Sequence, residues 1–269
     1  MALRIKQFTA IGFALALIVL GSIYLWAKPS AAPAVKKIRK IVIDAGHGGK
    51  DPGCHGQYSY EKNIALDVSK ILGENIRRQM RGVQVIYTRE SDWYPPLKER
   101  HQMANDAKAD LFISIHINSS PRRVTTANGT ETYVLGLHRT DQKEGAIGEY
   151  AGNFVADRGL LDPRDPLNQI LIAQYSQTFL ASSILLGSYI ENEFQSQGRK
   201  SAGVKQKGLE VLAGTAMPAV LVELGFLNNP SEEAMLNSEV GKNKCANAIF
   251  FAIQKYRDEV EKSTNTRSN

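Results

Sequence analysis

The sequence predicts a three-layer α/β/α domain, a single one with a mostly parallel mixed sheet, and three observations carry that expectation. From Ile41 onward, short apolar runs alternate with longer segments of helical period, the pattern of strands and helices wound about one sheet. The runs at 41–43 and 111–116 hold few polar residues, as strands covered on both faces do. Three apolar runs also lead into chemically active side chains: His47 in a glycine-rich turn, His116, and Glu223. Open α/β sheets bind ligands beyond the carboxyl ends of their strands. If the three strands are neighbours, these side chains share one crevice.

The elements follow in order. Arg4 and Lys6 precede an apolar run from Phe8 to Ala27, closed by Lys28 and Pro29. A basic start, an apolar centre and the small residues Ala32, Pro33 and Ala34 are the parts of a secretory signal. The run is also close to spanning length, and Trp26 suits a membrane interface. Over residues 1–34 a cleaved signal and a retained anchor both stay open. Either sends the rest of the chain out of the cytoplasm, into the cell envelope, with the N-terminal segment touching the membrane. Residues 35–40 finish a linker rich in Ala, Pro and Lys. A strand at 41–43 precedes a helix over about 60–80, with Ile64, Val68, Ile71, Leu72 and Ile76 on one stripe. Val83, Val85 and Tyr87 alternate as a strand, and Pro95 and Pro96 open a helix through Ala107. Strands follow at 111–116 and 130–135, then a long helix from about 167 to 194. Short strands are expected at 210–212 and 219–223, a helix capped by Ser231, and a last helix over 240–256. The catalytic-sized unit spans 41–260, and a loose polar tail fills 261–269.

Bulk charge excludes one class of partner. The formal net charge is +6, but Arg4, Lys6 and Lys28 lie in a leader that holds no acid. Without them 30 basic residues face 27 acidic ones, leaving +3, which gives no case for nucleic acid. The two cysteines, Cys54 and Cys245, lack the paired spacing of structural zinc sites and make no disulfide framework. Neither is expected to bind metal, and Cys245 reads as a small helix-packing residue.

Two histidines and one carboxylate, with a fourth position left to water, form a catalytic zinc arrangement. Imidazole and carboxylate suit zinc better than they suit calcium or magnesium. His47 and His116 supply the imidazoles. Glu61 sits on the buried stripe of its helix, three and seven residues before Ile64 and Val68. A carboxylate there needs a partner. Glu223 ends a buried strand, so one of Glu61 and Glu223 would bind metal and the other move protons; chemistry alone does not choose. Asp44 reads either as the acceptor that orients a ligand imidazole or as a turn cap. His55, His101 and His138 lack comparable settings and stay outside the set.

Residues 42–53 (Val-Ile-Asp-Ala-Gly-His-Gly-Gly-Lys-Asp-Pro-Gly), Glu61-Lys62, 114–118 (Ser-Ile-His-Ile-Asn) and 218–229 (Pro-Ala-Val-Leu-Val-Glu-Leu-Gly-Phe-Leu-Asn-Asn) together resemble the zinc-dependent N-acetylmuramoyl-L-alanine amidases of the amidase-3 type. The likeness runs from Ile41 to about Tyr256 and keeps four motifs in order. It implies zinc held by His47, Glu61 and His116, with Glu223 as catalytic acid and base. It implies peptidoglycan as substrate, cut at the amide joining the lactyl group of N-acetylmuramic acid to L-alanine. Residues 199–212 resemble the family's stretch ahead of the catalytic strand, where basic side chains could meet peptide carboxylates. Some members carry an inhibitory helix that blocks the zinc, and a protein activator is then a possible partner. Here 136–165 is polar and broken by Gly and Pro, so no plug is expected, and the chain should be a monomer. Two other readings are a zinc peptidase or carboxypeptidase acting on wall peptides and a catalytically dead wall-binding protein. The first needs an arginine pocket for a terminal carboxylate. The second needs a lost ligand or base, and none is missing.

Overall fold

Isoleucine and valine fill the central strands, and the way they alternate decides which helix each faces. The computed structural model describes residues 37–150 and 165–265. The leader or anchor expected over 1–34 lies outside the described residues. The strands are β1 (Lys40–Ala45), β2 (Gln84–Tyr87), β3 (Leu111–Asn118), β4 (Thr130–Leu135), β5 (Ser201–Lys207) and β6 (Ala219–Phe226). They form one sheet in the order β2-β1-β3-β6-β4-β5. Every neighbouring pair is parallel except β4 and β6, which makes the sheet mixed and mostly parallel.

The helices are α1 (Glu61–Gln79), α2 (Leu97–Asp106), α3 (Thr140–Tyr150), α4 (Pro166–Ser196), α5 (Glu210–Ala213), α6 (Pro230–Asn237) and α7 (Glu239–Asn265). Ile41 and Ile43 of β1 face the larger core, with Val68 and Leu72 of α1, Ile190 and Phe194 of α4, and Phe250 and Ile253 of α7. Val42, one residue out of phase, faces the smaller core with Phe112, Leu221, Ala104 of α2 and Leu212 of α5. Helix α4 is long and apolar enough to cross a membrane, its apolar 18-residue stretch having a mean hydropathy of 1.3. Here it packs along β4, β5 and β6 and against α7.

A buried ion pair ties β1 to α2. Asp44 is fully buried on the smaller-core face, and its Oδ1 accepts from Arg100 Nη1 at 2.8 Å and Thr88 Oγ1 at 2.6 Å. Its Oδ2 accepts from Ser114 Oγ at 2.6 Å. Burial alone would raise the Asp44 carboxyl, but Arg100 and the two hydroxyls outweigh it and hold the group below its ordinary range.

Several expectations need correction. Residues 201–207 form the edge strand β5, and the strand expected at 210–212 is instead the single-turn helix α5. A run as short as Glu-Val-Leu fits either element. Asn229, not Ser231, caps α6: its side chain accepts from the backbone N–H groups of Ser231 and Glu232, with Pro230 in the first turn. Pro96 is the N-cap of α2, so the helix starts one residue after the prolines. The last helix outruns its expected end and continues to Asn265, into the stretch read as a loose tail. The segment read as broken over 136–165 contains α3. Lys143 of α3 is buried and donates to Thr215 Oγ1 at 2.7 Å and the Met217 carbonyl at 2.6 Å. Those groups precede the start of β6, at the end of the sheet opposite Glu223.

Asp44→Ala should cost about 3–5 kcal/mol, because it leaves the Arg100 guanidinium buried without its anion. Urea unfolding followed by circular dichroism checks this. The midpoint should fall while the slope stays constant, and an unchanged midpoint would show that the pair does not hold β1 to α2.

Candidate metal centre

The register of the sheet builds the site. β1, β3 and β6 run parallel, and their carboxyl ends lie at one edge. His116 of β3 is directly opposite Glu223 of β6. Beyond Ala45, β1 breaks into a turn in which Gly46 donates its N–H to the Ile115 carbonyl at 3.0 Å. A Cβ on Gly46 would stand 2.4 Å from the His116 ring, so only glycine lets the turn pass the imidazole. His47 has φ of 58°, a left-handed conformation that non-glycine residues seldom adopt. The Arg89 guanidinium donates to the carbonyls of Ala45 and Gly46, and Arg100 donates to those of Ala45 and His47. These arginines hold the turn that aims His47.

Glu61, the first residue of α1, is the centre of the cluster, with its side chain 4 % exposed. Its Oε1 meets His116 Nδ1 at 2.8 Å and accepts from the Ile117 N–H at 3.0 Å. Its Oε2 meets His47 Nε2 at 3.2 Å and accepts from the Cys54 N–H at 2.9 Å. Burial would raise the Glu61 carboxyl; the two imidazoles outweigh it and hold it far below its ordinary range. Burial lowers His47, but Glu61 and then Asp51 overcome that and push it up to about 9. The other ring nitrogen of His47 pairs with Asp51 Oδ2 at 2.8 Å.

One donor atom from each of His47, Glu61 and His116 lies within 4.8 Å of the others, a group that could hold a metal ion. Two imidazoles and one carboxylate are a zinc donor set with room for a fourth ligand. Glu223 Oε2 adds an orphan: it is buried and has no hydrogen-bond partner. Burial pushes the Glu223 carboxyl up to about 7, with His116 pulling it down and Glu61 and Glu131 adding to the rise. Glu131 lies directly opposite Glu223 on β4 and accepts from Tyr133 Oη, Lys205 Nζ and Asn118 Nδ2. The residues of this cluster fit a zinc ion with a proton-carrying carboxyl beside it.

His47, Glu61, His116 and Glu223 are therefore brought together. Asp44 orients no imidazole; it belongs to the Arg100 ion pair, and Asp51 takes the role against His47. His55 bridges to Tyr60, His101 packs against Gly214, and His138 packs against Gly208, all apart from the cluster. Both cysteines are free, and the Cys54 thiol donates to the Ile117 carbonyl at 3.1 Å. Arg199 and Lys205 pair with Glu232 and Glu131. The sequence reading missed Arg89, Arg100 and Asp51. Arg100 did carry a signal, since it precedes Ala104 by four residues on the buried stripe of α2.

Comparison with known proteins gives one consistent result. A family profile described as N-acetylmuramoyl-L-alanine amidase matches residues 41–255. The N-acetylmuramoyl-L-alanine amidase AmiA of Escherichia coli is 31% identical over 244 residues, covering 86% of this chain and 80% of that one. The catalytic domain of CwlV, an N-acetylmuramoyl-L-alanine amidase from Bacillus (Paenibacillus) polymyxa, superposes with a TM-score of 0.61 at 30% identity, covering 82% of this chain and 99% of that one. The CwlD amidase of Clostridioides difficile, solved in complex with the GerS lipoprotein, gives a TM-score of 0.60 at 26% identity, covering 81% and 98%.

The orphaned carboxyl of Glu223 has a measurable cost. Its folded value of about 7 lies above its ordinary 4.5, so folding disfavours the charged form. Stability is therefore lost as pH rises from about 4.5 through 7. In chelator-treated protein, Glu223→Gln should melt at least about 2 °C above the parent at pH 8, with the gap closing towards pH 5. Equal melting temperatures across that range would show that Glu223 is not strained by burial.

Proposed function

The chain belongs to the N-acetylmuramoyl-L-alanine amidase family, and from that premise we infer how its residues carry out the reaction. It is a peptidoglycan amidase of the cell wall: it hydrolyses the amide between N-acetylmuramic acid and the L-alanine of the stem peptide. The observation that carries the mechanism is the convergence of His47, Glu61 and His116 beside the unpartnered Glu223 carboxyl.

In this reading His47, Glu61 and His116 hold one zinc ion. When bound, zinc supplies Lewis acidity, which makes water nucleophilic near neutral pH and draws charge from the scissile carbonyl. Asp51 engages His47 Nδ1 and leaves Nε2 facing the cluster. The N–H groups of Cys54 and Ile117 fix the Glu61 carboxylate. Glu223 takes the proton from the attacking water at its unpartnered Oε2 and passes it to the departing L-alanine nitrogen. A carboxyl pushed up to about 7 is suited to both halves of that transfer. Stem peptides are thereby released during wall remodelling or cell separation. Helix α3 is seated at the far end of the sheet, and residues 151–164, the rest of the segment expected to hold no plug, lie outside the described residues. In this reading the polar composition of 136–165, broken by Gly and Pro, supports a chain that works without a partner protein.

Muropeptides incubated with the purified chain alone should yield free stem peptides with an N-terminal L-alanine, identified by mass. Cleavage within the peptide would favour the peptidase reading, and dependence on a second protein would overturn partner independence. His116→Ala should lose zinc by elemental analysis. Glu223→Gln should keep zinc and lose turnover by at least about a hundredfold. Zinc lost from Glu223→Gln and kept in Glu61→Gln would exchange the roles of the two carboxylates.

The apolar run from Phe8 to Ala27 behind Arg4 and Lys6 supports delivery across the membrane. A reporter fused to the chain should be active outside the cytoplasm only. The N-terminus of the mature protein then separates cleavage near Ala34 from a retained anchor.

A further inference from the structure

We propose that Glu233 is a positioning residue for Glu61, acting through the turn at residues 54–60; the proposal rests on the metal-centre reading above. Glu233 lies in the first turn of α6 and is fully buried. Its Oε1 accepts from the N–H groups of Tyr58 and Ser59 at 2.9 and 3.0 Å and from Ser59 Oγ at 2.7 Å. Its Oε2 accepts from the Gln57 N–H at 2.8 Å. Three successive backbone N–H groups thus close on one carboxylate, an anion-holding nest made within the chain. Gly56 completes the fit, because a Cβ there would stand 2.1 Å from Glu233 Oε1.

The turn that Glu233 holds is closed at its base by the metal-ligand candidate. The Glu61 N–H donates to the Cys54 carbonyl at 2.9 Å, and the Cys54 N–H donates back to Glu61 Oε2 at 2.9 Å. Inside it, His55 bridges to Tyr60 and the Gly56 N–H donates to the Ser59 carbonyl. Displacing residues 57–59 therefore shifts the Cys54 N–H that fixes one oxygen of Glu61.

The neighbouring carboxylate points the other way. Glu232 accepts from the Phe226 N–H at 2.7 Å, the Gly129 N–H at 3.1 Å and Arg199 Nη2 at 2.8 Å. Phe226 ends the strand that carries Glu223. One turn of α6 thus grips the base strand with Glu232 and the ligand turn with Glu233. It fixes the spacing between the zinc ligands and the proton carrier. A residue that only braced the fold would lower the melting temperature and leave the metal affinity of the folded protein alone.

The test uses the full chain, stripped of metal and titrated with zinc against a chromophoric chelator well below each variant's melting temperature. Glu233→Gln keeps the shape but turns an amide towards three N–H donors. Gly56→Ala keeps the charge and pushes the carboxylate aside. Both should bind zinc about 10–100-fold more weakly, the range for groups that orient a metal ligand. Turnover should recover towards the parent's kcat at saturating zinc. If Glu233→Gln fails to fold, Gly56→Ala decides. Zinc affinity within about twofold of the parent in folded variants would overturn the proposal and leave the metal centre standing. A parent chain that takes up no zinc would overturn the metal centre and this proposal with it.

Discussion

A buried carboxylate at the start of α1 is the constraint on which the rest of this structure depends. Removing the Glu61 charge from water is costly unless donors replace the lost hydration. The replacements come from three separate stretches of chain: His47 after β1, Cys54 before α1, and His116 with Ile117 at the end of β3. Each oxygen receives one imidazole and one backbone N–H. The N-terminus of α1 adds its own positive potential. Satisfying this one charge fixes where a loop, a helix and a strand end relative to one another. That same arrangement leaves two imidazoles and a carboxylate facing each other, ready for a cation.

Beneath the cluster, a second polar layer converts strand order into side-chain aim. A turn with φ of 58° at His47 stores of order 1–3 kcal/mol of strain and persists only if its surroundings hold it. Arg89 and Arg100 do so by taking the carbonyls of residues 45–47, at the end of β1 and just past it. Asp44 anchors Arg100 in turn. The carboxyl proposed to carry protons is treated differently: Glu223 is half-buried and its buried Oε2 is given no donor, while its neighbour Glu131 is given three. The site thus keeps one carboxyl firmly ionised and the adjacent one near neutrality.

Much of this was legible in the sequence because the site sits where strong local signals end. Runs such as 41–43 and 219–222 are strands on their face, and chemically active residues at their carboxyl ends mark a crevice in any open sheet. Glu61 was visible as a charge on an apolar stripe. Strand β5 was not legible, since Ser-Ala-Gly-Val-Lys-Gln-Lys lacks both β-branched density and clean alternation; its pairing with β4 comes from the tertiary fold. Helix α3 was hidden by Gly145 and Gly148 and is anchored by burying Lys143 at the end of the sheet opposite Glu223. The choice of Asp51 over Asp44 as the partner of His47 depended on a turn conformation that spacing does not encode. Nor does spacing show Glu233, which lies 172 residues from Glu61 and reaches it only through folded backbone.

The sheet's two borders have a bearing on how copies of this domain behave at close quarters. An open border offers unpaired backbone groups on which another chain can add a strand, the route to fibrils and swapped dimers. At one border β2 is only four residues long. At the other, β5 carries exposed Lys205 and Lys207, and its pairing with β4 is broken by a register shift near Gly203, whose φ is 74°. A second copy approaching β5 meets positive charge and a kinked backbone. Among the described residues, a short β2 at one border and a kinked, lysine-bearing β5 at the other thus make poor templates for an added strand.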